Sequence, residues 1–217
     1  MNTFRAVVVV SAVIVLTGLT GCSGDNGSSA SAPSGAALRP AATATPADPA
    51  LAGLVGSGCG DYAAAEPSGP GSIAGMTEDP LATATSHNPL LSTFSTIISG
   101  RLNKKVKLSD TLNGNEFTVF APVNSAFAKL PATTMAQLKL SRNSRRLTNL
   151  LTYHVVVGRL SPVKVVGIQL TVDGGSLKVT RSGNLMKVNG ATVICGGLQT
   201  ANATLYLLDT VLTPTSD

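Results

Sequence analysis

The order of apolar patterns along this chain predicts an α+β fold, with helices in the N-terminal half packed on a mainly antiparallel sheet or wedge of strands. Three observations carry that reading. Between residues 79 and 151, apolar side chains recur at helical spacing behind Asp-Pro and Asn-Pro starts. Residues 117–120 form a short run that is apolar on both faces, the pattern of a central strand. From Tyr153 onward, short apolar segments alternate with turns rich in Gly and Asn.

Taken in order, Arg5 gives a positive head, residues 6–16 an apolar run, and Leu19-Thr20-Gly21-Cys22 a group of small residues closing on a cysteine. The run is shorter than the about 20 residues of a spanning helix and is interrupted by Ser11 and Thr17. Residues 1–21 therefore read as an export signal. Its last four residues resemble the lipobox of bacterial lipoproteins. The resemblance implies a chain that begins at Cys22, is acylated there, and sits lipid-anchored on the extracytoplasmic face of a cell membrane, with shedding or secretion as a further state. Residues 22–50 are dominated by Ser, Ala, Gly, Thr and Pro. Such a stretch buries too little apolar surface to offset the entropy of ordering, so a flexible tether is expected.

The folded domain is expected over residues 51–217. A first helix over 51–65 carries Cys59 and ends at the turn cluster 67–71. Asp79-Pro80 and Asn88-Pro89 each place a capping residue before a proline at the first helical position. Leu90, Leu91, Phe94, Ile97 and Ile98 share a face, with Gly100 just beyond. Pro122 ends the central strand because it cannot donate to a ladder, Asn124 is placed to cap the next helix, and Phe127 returns to the core. Helix resumes to residue 151, broken near Pro131 and Ser141. In its last part Leu147, Leu150 and Leu151 face inward, with Arg142, Arg145 and Arg146 opposite. Strands follow over 170–172, 177–181, 185–188 and 191–194, and Asn189-Gly190 is a two-residue hairpin signal. Pro214 is expected to end the last strand, and Asp209, among apolar neighbours, to accept hydrogen bonds from backbone or hydroxyl groups.

With Cys22 assigned to lipid, Cys59 and Cys195 remain. Two thiols in an exported chain read as one disulfide; buried free thiols or metal ligands are the alternatives. His87 and His154 are the only histidines, too few for a structural metal site, so neither metal nor cofactor is expected. No Gly-x-Ser-x-Gly elbow and no Gly-rich phosphate loop occur, and no enzyme is expected. His154, at a helix-to-strand junction, reads as structural. Asn202-Ala203-Thr204 fits a glycosylation acceptor but reads as a strand-end turn.

Charge divides unevenly along the chain. Residues 23–100 hold one base, Arg39, and six acids, whereas residues 101–187 hold fourteen bases and three acids. Lys104, Lys105 and Lys107 could merge with Arg142, Arg145 and Arg146 into one positive surface. Outside a cell nucleic acid is not the expected partner; acidic glycans and anionic lipid headgroups are.

Three segments carry a family resemblance. Residues 118–127, Thr-Val-Phe-Ala-Pro-Val-Asn-Ser-Ala-Phe, look like the first signature of the fasciclin domain. Leu151-Thr152-Tyr153-His154-Val155 resembles its central Tyr-His element, and residues 203–214, ending Asp-Thr-Val-Leu-Thr-Pro, are similar to its closing signature. With the lipobox and the Cys59/Cys195 pair, the chain resembles the fasciclin-domain surface lipoproteins and secreted antigens of mycobacteria. The resemblance implies a monomeric, non-enzymatic module for adhesion or host contact, with a host cell-surface protein or an acidic glycan as partner. It also marks Tyr153 and His154 as candidate contacts, since that region is implicated in integrin binding in some animal members. A carrier of a small apolar ligand or envelope lipid is the alternative function.

Overall fold

Strands buried at every position must be covered on both faces, and two such strands pair side by side in this fold. The structure, a computed structural model, describes residues 51–214; the predicted signal, Cys22 and the tether lie outside the described residues. Seven strands form one sheet: β1 (Phe117–Pro122), β2 (Val155–Val157), β3 (Gly167–Leu170), β4 (Ser176–Ser182), β5 (Leu185–Val188), β6 (Ala191–Gln199) and β7 (Ala203–Leu208). Their order is β2-β1-β7-β6-β5-β4-β3. Every neighbouring pair is antiparallel except β1 with β7, which is parallel. All six residues of β1 and all six of β7 are buried. The edge strands β2 and β3 meet at the Val156–Thr171 bridge, which nearly closes the sheet into a barrel.

Alternation along β1 and β7 divides the interior into two cores. Val119, Ala121, Leu205 and Leu207 face a helical layer with Leu81, Leu91, Phe94, Ile97, Ile98 and Leu147. Phe120, Tyr206 and Leu208 face the inside of the barrel with Leu177, Val179, Met186 and Val188. The Phe120 and Tyr206 rings are register partners with centroids 5.4 Å apart, and the Tyr206 hydroxyl donates to the Leu160 carbonyl at 2.8 Å.

The helical layer comprises α1 (Cys59–Ala65), α2 (Leu81–His87), α3 (Ser92–Ile98), α4 (Ser109–Gly114), α5 (Asn124–Ala128), α6 (Ala132–Lys139) and α7 (Ser144–Tyr153). The α+β class and the breaks near Pro131 and Ser141 are as the sequence predicts. Several local expectations are corrected. The first helix starts at Cys59, not at residue 51. Gly53 and Gly56 upstream have φ of +82° and +111°, Val55 bridges to Gly196, and a Cβ on Gly56 would strike the Ile194 carbonyl. This segment is a series of turns held against β6 by the Val55 bridge, and the Cys59–Cys195 disulfide ties α1 to the same strand.

Capping differs most from expectation. Asn88 does cap the Pro89–Leu91 turn, accepting from the Leu90 N–H at 2.9 Å. Asp79 caps nothing; its carboxylate meets His87 Nδ1 at 3.0 Å. The first N–H groups of α2 go instead to side chains remote in sequence: Leu81 to Asn202 Oδ1 and Ala82 to Asn113 Oδ1, both at 2.8 Å. Asn124 also caps a helix other than its own. Its Oδ1 accepts from Thr93 N–H at 2.9 Å at the start of α3, while its Nδ2 donates to the Pro89 carbonyl at 2.7 Å. Asn202 donates as well to the Leu112 and Asn115 carbonyls, both at 2.7 Å, so its side chain locks the strand end to two helices.

In the meander, Asn189 (φ 46°) and Gly190 (φ 88°) make the predicted left-handed turn. β3 lies at Gly167–Leu170 rather than 170–172. β6 runs on to Gln199 because bulges at Ile194 and Gly197 carry the chain past its glycines. The last strand ends at Leu208, well before Pro214. Asp209 Oδ1 accepts from Thr192 N–H at 2.8 Å, the role expected of it.

Candidate interaction surface

α7 and the residues flanking it carry two of the sets that the sequence singles out in this half of the chain. Leu147 and Leu151 anchor one face in the core. At its C-terminus, Tyr153 and His154 are 2% and 1% exposed. The Tyr153 hydroxyl donates to the Ser176 carbonyl at 3.1 Å and accepts from Asn189 Nδ2 at 3.0 Å. His154 Nδ1 lies 2.7 Å from the Leu150 carbonyl, so it carries the proton; Nε2 then accepts the Leu212 N–H at 2.9 Å. Burial lowers the imidazole pKa to about 4, against a smaller opposing effect of the Leu150 bond. A neutral ring with both nitrogens used is a structural joint between α7, β2 and the closing segment. The expectation that Tyr153 and His154 offer contacts to a partner meets their burial: their polar side-chain atoms are used inside the fold, and little of either ring is left at the surface.

The opposite end of α7 is open. Arg142 lies in the Ser141–Asn143 turn and Arg145 and Arg146 in the first turn of the helix, all exposed. No side chain caps this N-terminus, because the Asn143 amide is turned to Gln137. The helix dipole is positive here, so the arginines sit where cations are disfavoured by a few tenths of a kcal/mol each, and where an anion is favoured. Leu130, Leu138, Leu150, Val211 and Pro214 floor a half-open cleft of about 550 Å³ that Arg142, Arg145 and Arg146 rim. Among the described residues, none of these arginines has a carboxylate within 4.0 Å; Asp79 meets His87, and Asp209 pairs with Lys129.

Lys104, Lys105 and Lys107 are exposed in the loop after α3. Asn103, buried between them and α6, donates to the Leu138 and Leu140 carbonyls at 3.2 and 3.0 Å. That stitch fastens the lysine loop beside the turn bearing Arg142. The sequence flags both basic runs. What it conceals is Asn103, whose neighbours give no sign that it bonds across 35 residues. The cleft was missed too, since its floor joins three separate segments.

Comparison with known proteins gives a consistent picture. The fasciclin domain family matches residues 90–214. Immunogenic protein MPB70 of Mycobacterium bovis is 56% identical over 167 residues, covering 76% of this chain and 86% of that protein. Cell surface glycolipoprotein MPB83 of the same species is 53% identical over 167 residues, covering 77% and 74%. Among solved structures, the FAS1 domain pair of the insect cell adhesion molecule fasciclin I superposes with a TM-score of 0.53 at 16% identity. That match covers 64% of this chain and about half, 52%, of the two-domain chain, and shows the shared fold.

Proposed function

This chain belongs to the fasciclin family, and from that premise we propose that it is a lipid-anchored, non-enzymatic surface module that binds an acidic partner at the Arg142, Arg145 and Arg146 cleft. The family and the named relatives, an immunogenic protein and a cell surface glycolipoprotein, support a surface or secreted antigen. One observation carries the finer reading: three cations without carboxylate partners surround an uncapped helix N-terminus over an apolar floor. A sulfated or uronic-acid polysaccharide offers matching anions, and the lysine loop extends the same charge. Anchoring at Cys22 keeps the cleft outside the cell.

The test is polysaccharide binding followed by surface plasmon resonance. Replacing Arg142, Arg145 and Arg146 together with Ser removes about 1.5–3 kcal/mol of partly exposed ion pairing, an affinity loss of about 10- to 100-fold. Salt should weaken wild-type binding steeply, since such contacts are screened over about 8 Å at physiological ionic strength. Binding indifferent to both changes would reduce the arginines to a solvated face. The apolar floor also favours a second reading, in which the cleft receives the acyl part of an envelope lipid. Lipid that co-purifies after mild extraction and is absent from the triple variant separates the two.

A further inference from the structure

β3 inverts the usual arrangement of a half-buried strand. By register, Gly167 and Gln169 pair with the buried Val179 and Leu177 and so share the inner face. The outer face carries Val166, Ile168, Leu170 and Val172, with exposures of 42%, 67%, 69% and 47%. A strand of this kind ordinarily turns its aliphatic side chains to the core and its polar ones to water. Val157, 70% exposed, is one register step beyond the Val156–Thr171 bridge and falls beside Leu170; Val163, 76% exposed, lies in the preceding loop. Six of the eight large exposed hydrophobic residues among those described thus belong to residues 157–172, a concentration rather than a scatter.

Cations frame this stripe. Ile168 pairs with Lys178, and Thr180, next on the same face, pairs with Lys187. Lys164, Lys178 and Lys187 are exposed, and Asp173 is the one acid in residues 157–190; Arg181 pairs with the buried Met186 and belongs to the opposite face. We infer that the outer face of β3 docks on an anionic lipid surface. Aliphatic side chains enter the headgroup–acyl boundary while lysines at their margin meet the anionic headgroups. The charges decide against a second copy of the chain: joining two such faces would set lysine against lysine. From the anchored reading this inference takes only the presence of a bilayer near the domain.

The chain contains no tryptophan, so Ile168→Trp gives a unique fluorophore at an exposed position, Leu170→Trp an independent repeat, and Leu90→Trp, in the Pro89–Leu91 turn, a probe away from the stripe. The full chain is mixed with excess vesicles of phosphatidylglycerol or phosphatidylcholine carrying brominated acyl chains. The expected result is a blue shift and loss of emission for the two β3 probes in phosphatidylglycerol. Both should be absent for Leu90→Trp, in phosphatidylcholine, and after Lys164→Glu with Lys178→Glu. Equal quenching of all three probes, or of none, overturns the inference, as does quenching indifferent to lipid charge. A blue shift without lipid that grows with protein concentration points to self-association and overturns it as well. Repeating the assay with Cys22→Ser reads the anchor separately: a wild-type chain that floats with unquenched β3 probes retains its anchor but has no docking face, whereas β3 probes still quenched in Cys22→Ser leave the face standing without the anchor.

Discussion

The two ends of α7 use polar side chains in opposite ways. At the C-terminus every polar atom of Tyr153 and His154 has a partner, and the burial that makes this a firm joint removes it from any partner outside. At the N-terminus Arg142, Arg145 and Arg146 have no carboxylate partner among the described residues, and the helix end is uncapped. The family signature falls on the first end and the proposed recognition surface on the second. A motif shared across a family can mark what the fold needs rather than what it touches, and the difference is read from hydrogen-bond accounts.

The most forceful way to break this contrast is to remove the joint. His154→Leu keeps the apolar volume but leaves the Leu212 N–H and the Leu150 carbonyl without a partner. Leaving such buried groups unpaired should cost about 2–4 kcal/mol in denaturant unfolding. The triple Arg→Ser variant, altered only on the surface, should change stability by no more than about 0.5 kcal/mol at each site. If the arginine variant lost as much stability as His154→Leu, the two ends would not differ in kind.

Acid sharpens the same contrast. His154 has a folded pKa of about 4 against an ordinary 6.5, so between those values the unfolded chain binds more protons than the folded one. Stability is complete above about pH 6.5, falls as the pH drops toward 4, and loses roughly 3 kcal/mol from this group across that window. A pH titration of the unfolding midpoint should show this slope in wild type and lose it in His154→Gln; an unchanged slope would place the acid sensitivity elsewhere.

How much of this was legible in the sequence follows from the range of each interaction. Elements set by local pattern were readable: the double-sided apolar run of β1, the Asn189-Gly190 turn, the Asn88-Pro89 start and the inward placing of Leu147 and Leu151 on α7; Leu150, expected with them, floors the cleft that the arginines rim. Asp209 was readable too, because a carboxylate among apolar residues has few choices. The helix caps were not. Asn124, Asn202 and Asn113 each serve a helix 31 to 121 residues away, and a local rule assigns such side chains to their own segment. The β3 register was missed for a related reason: its exposed aliphatic residues suggest a core strand, and only pairing with β4 shows them facing out. For the candidate site, the charges were visible and the cleft they surround was not.

The smallest expected effect is the most discriminating. Arg145 and Arg146 are the second and third residues of α7, close to the positive end of its dipole. Replacing both with Glu should stabilise the helix by about 0.5 kcal/mol at each site, raising the thermal midpoint by about 2–4 °C for a domain of this size. The same substitutions reverse the charge of the cleft rim and should abolish binding to an acidic polysaccharide. Gain of stability with loss of binding is the signature of residues kept for recognition at the expense of folding. Differential scanning calorimetry alongside the binding assay decides it. A lowered midpoint would show that the arginines contribute to the fold, and the separation between the two ends of α7 would then fail.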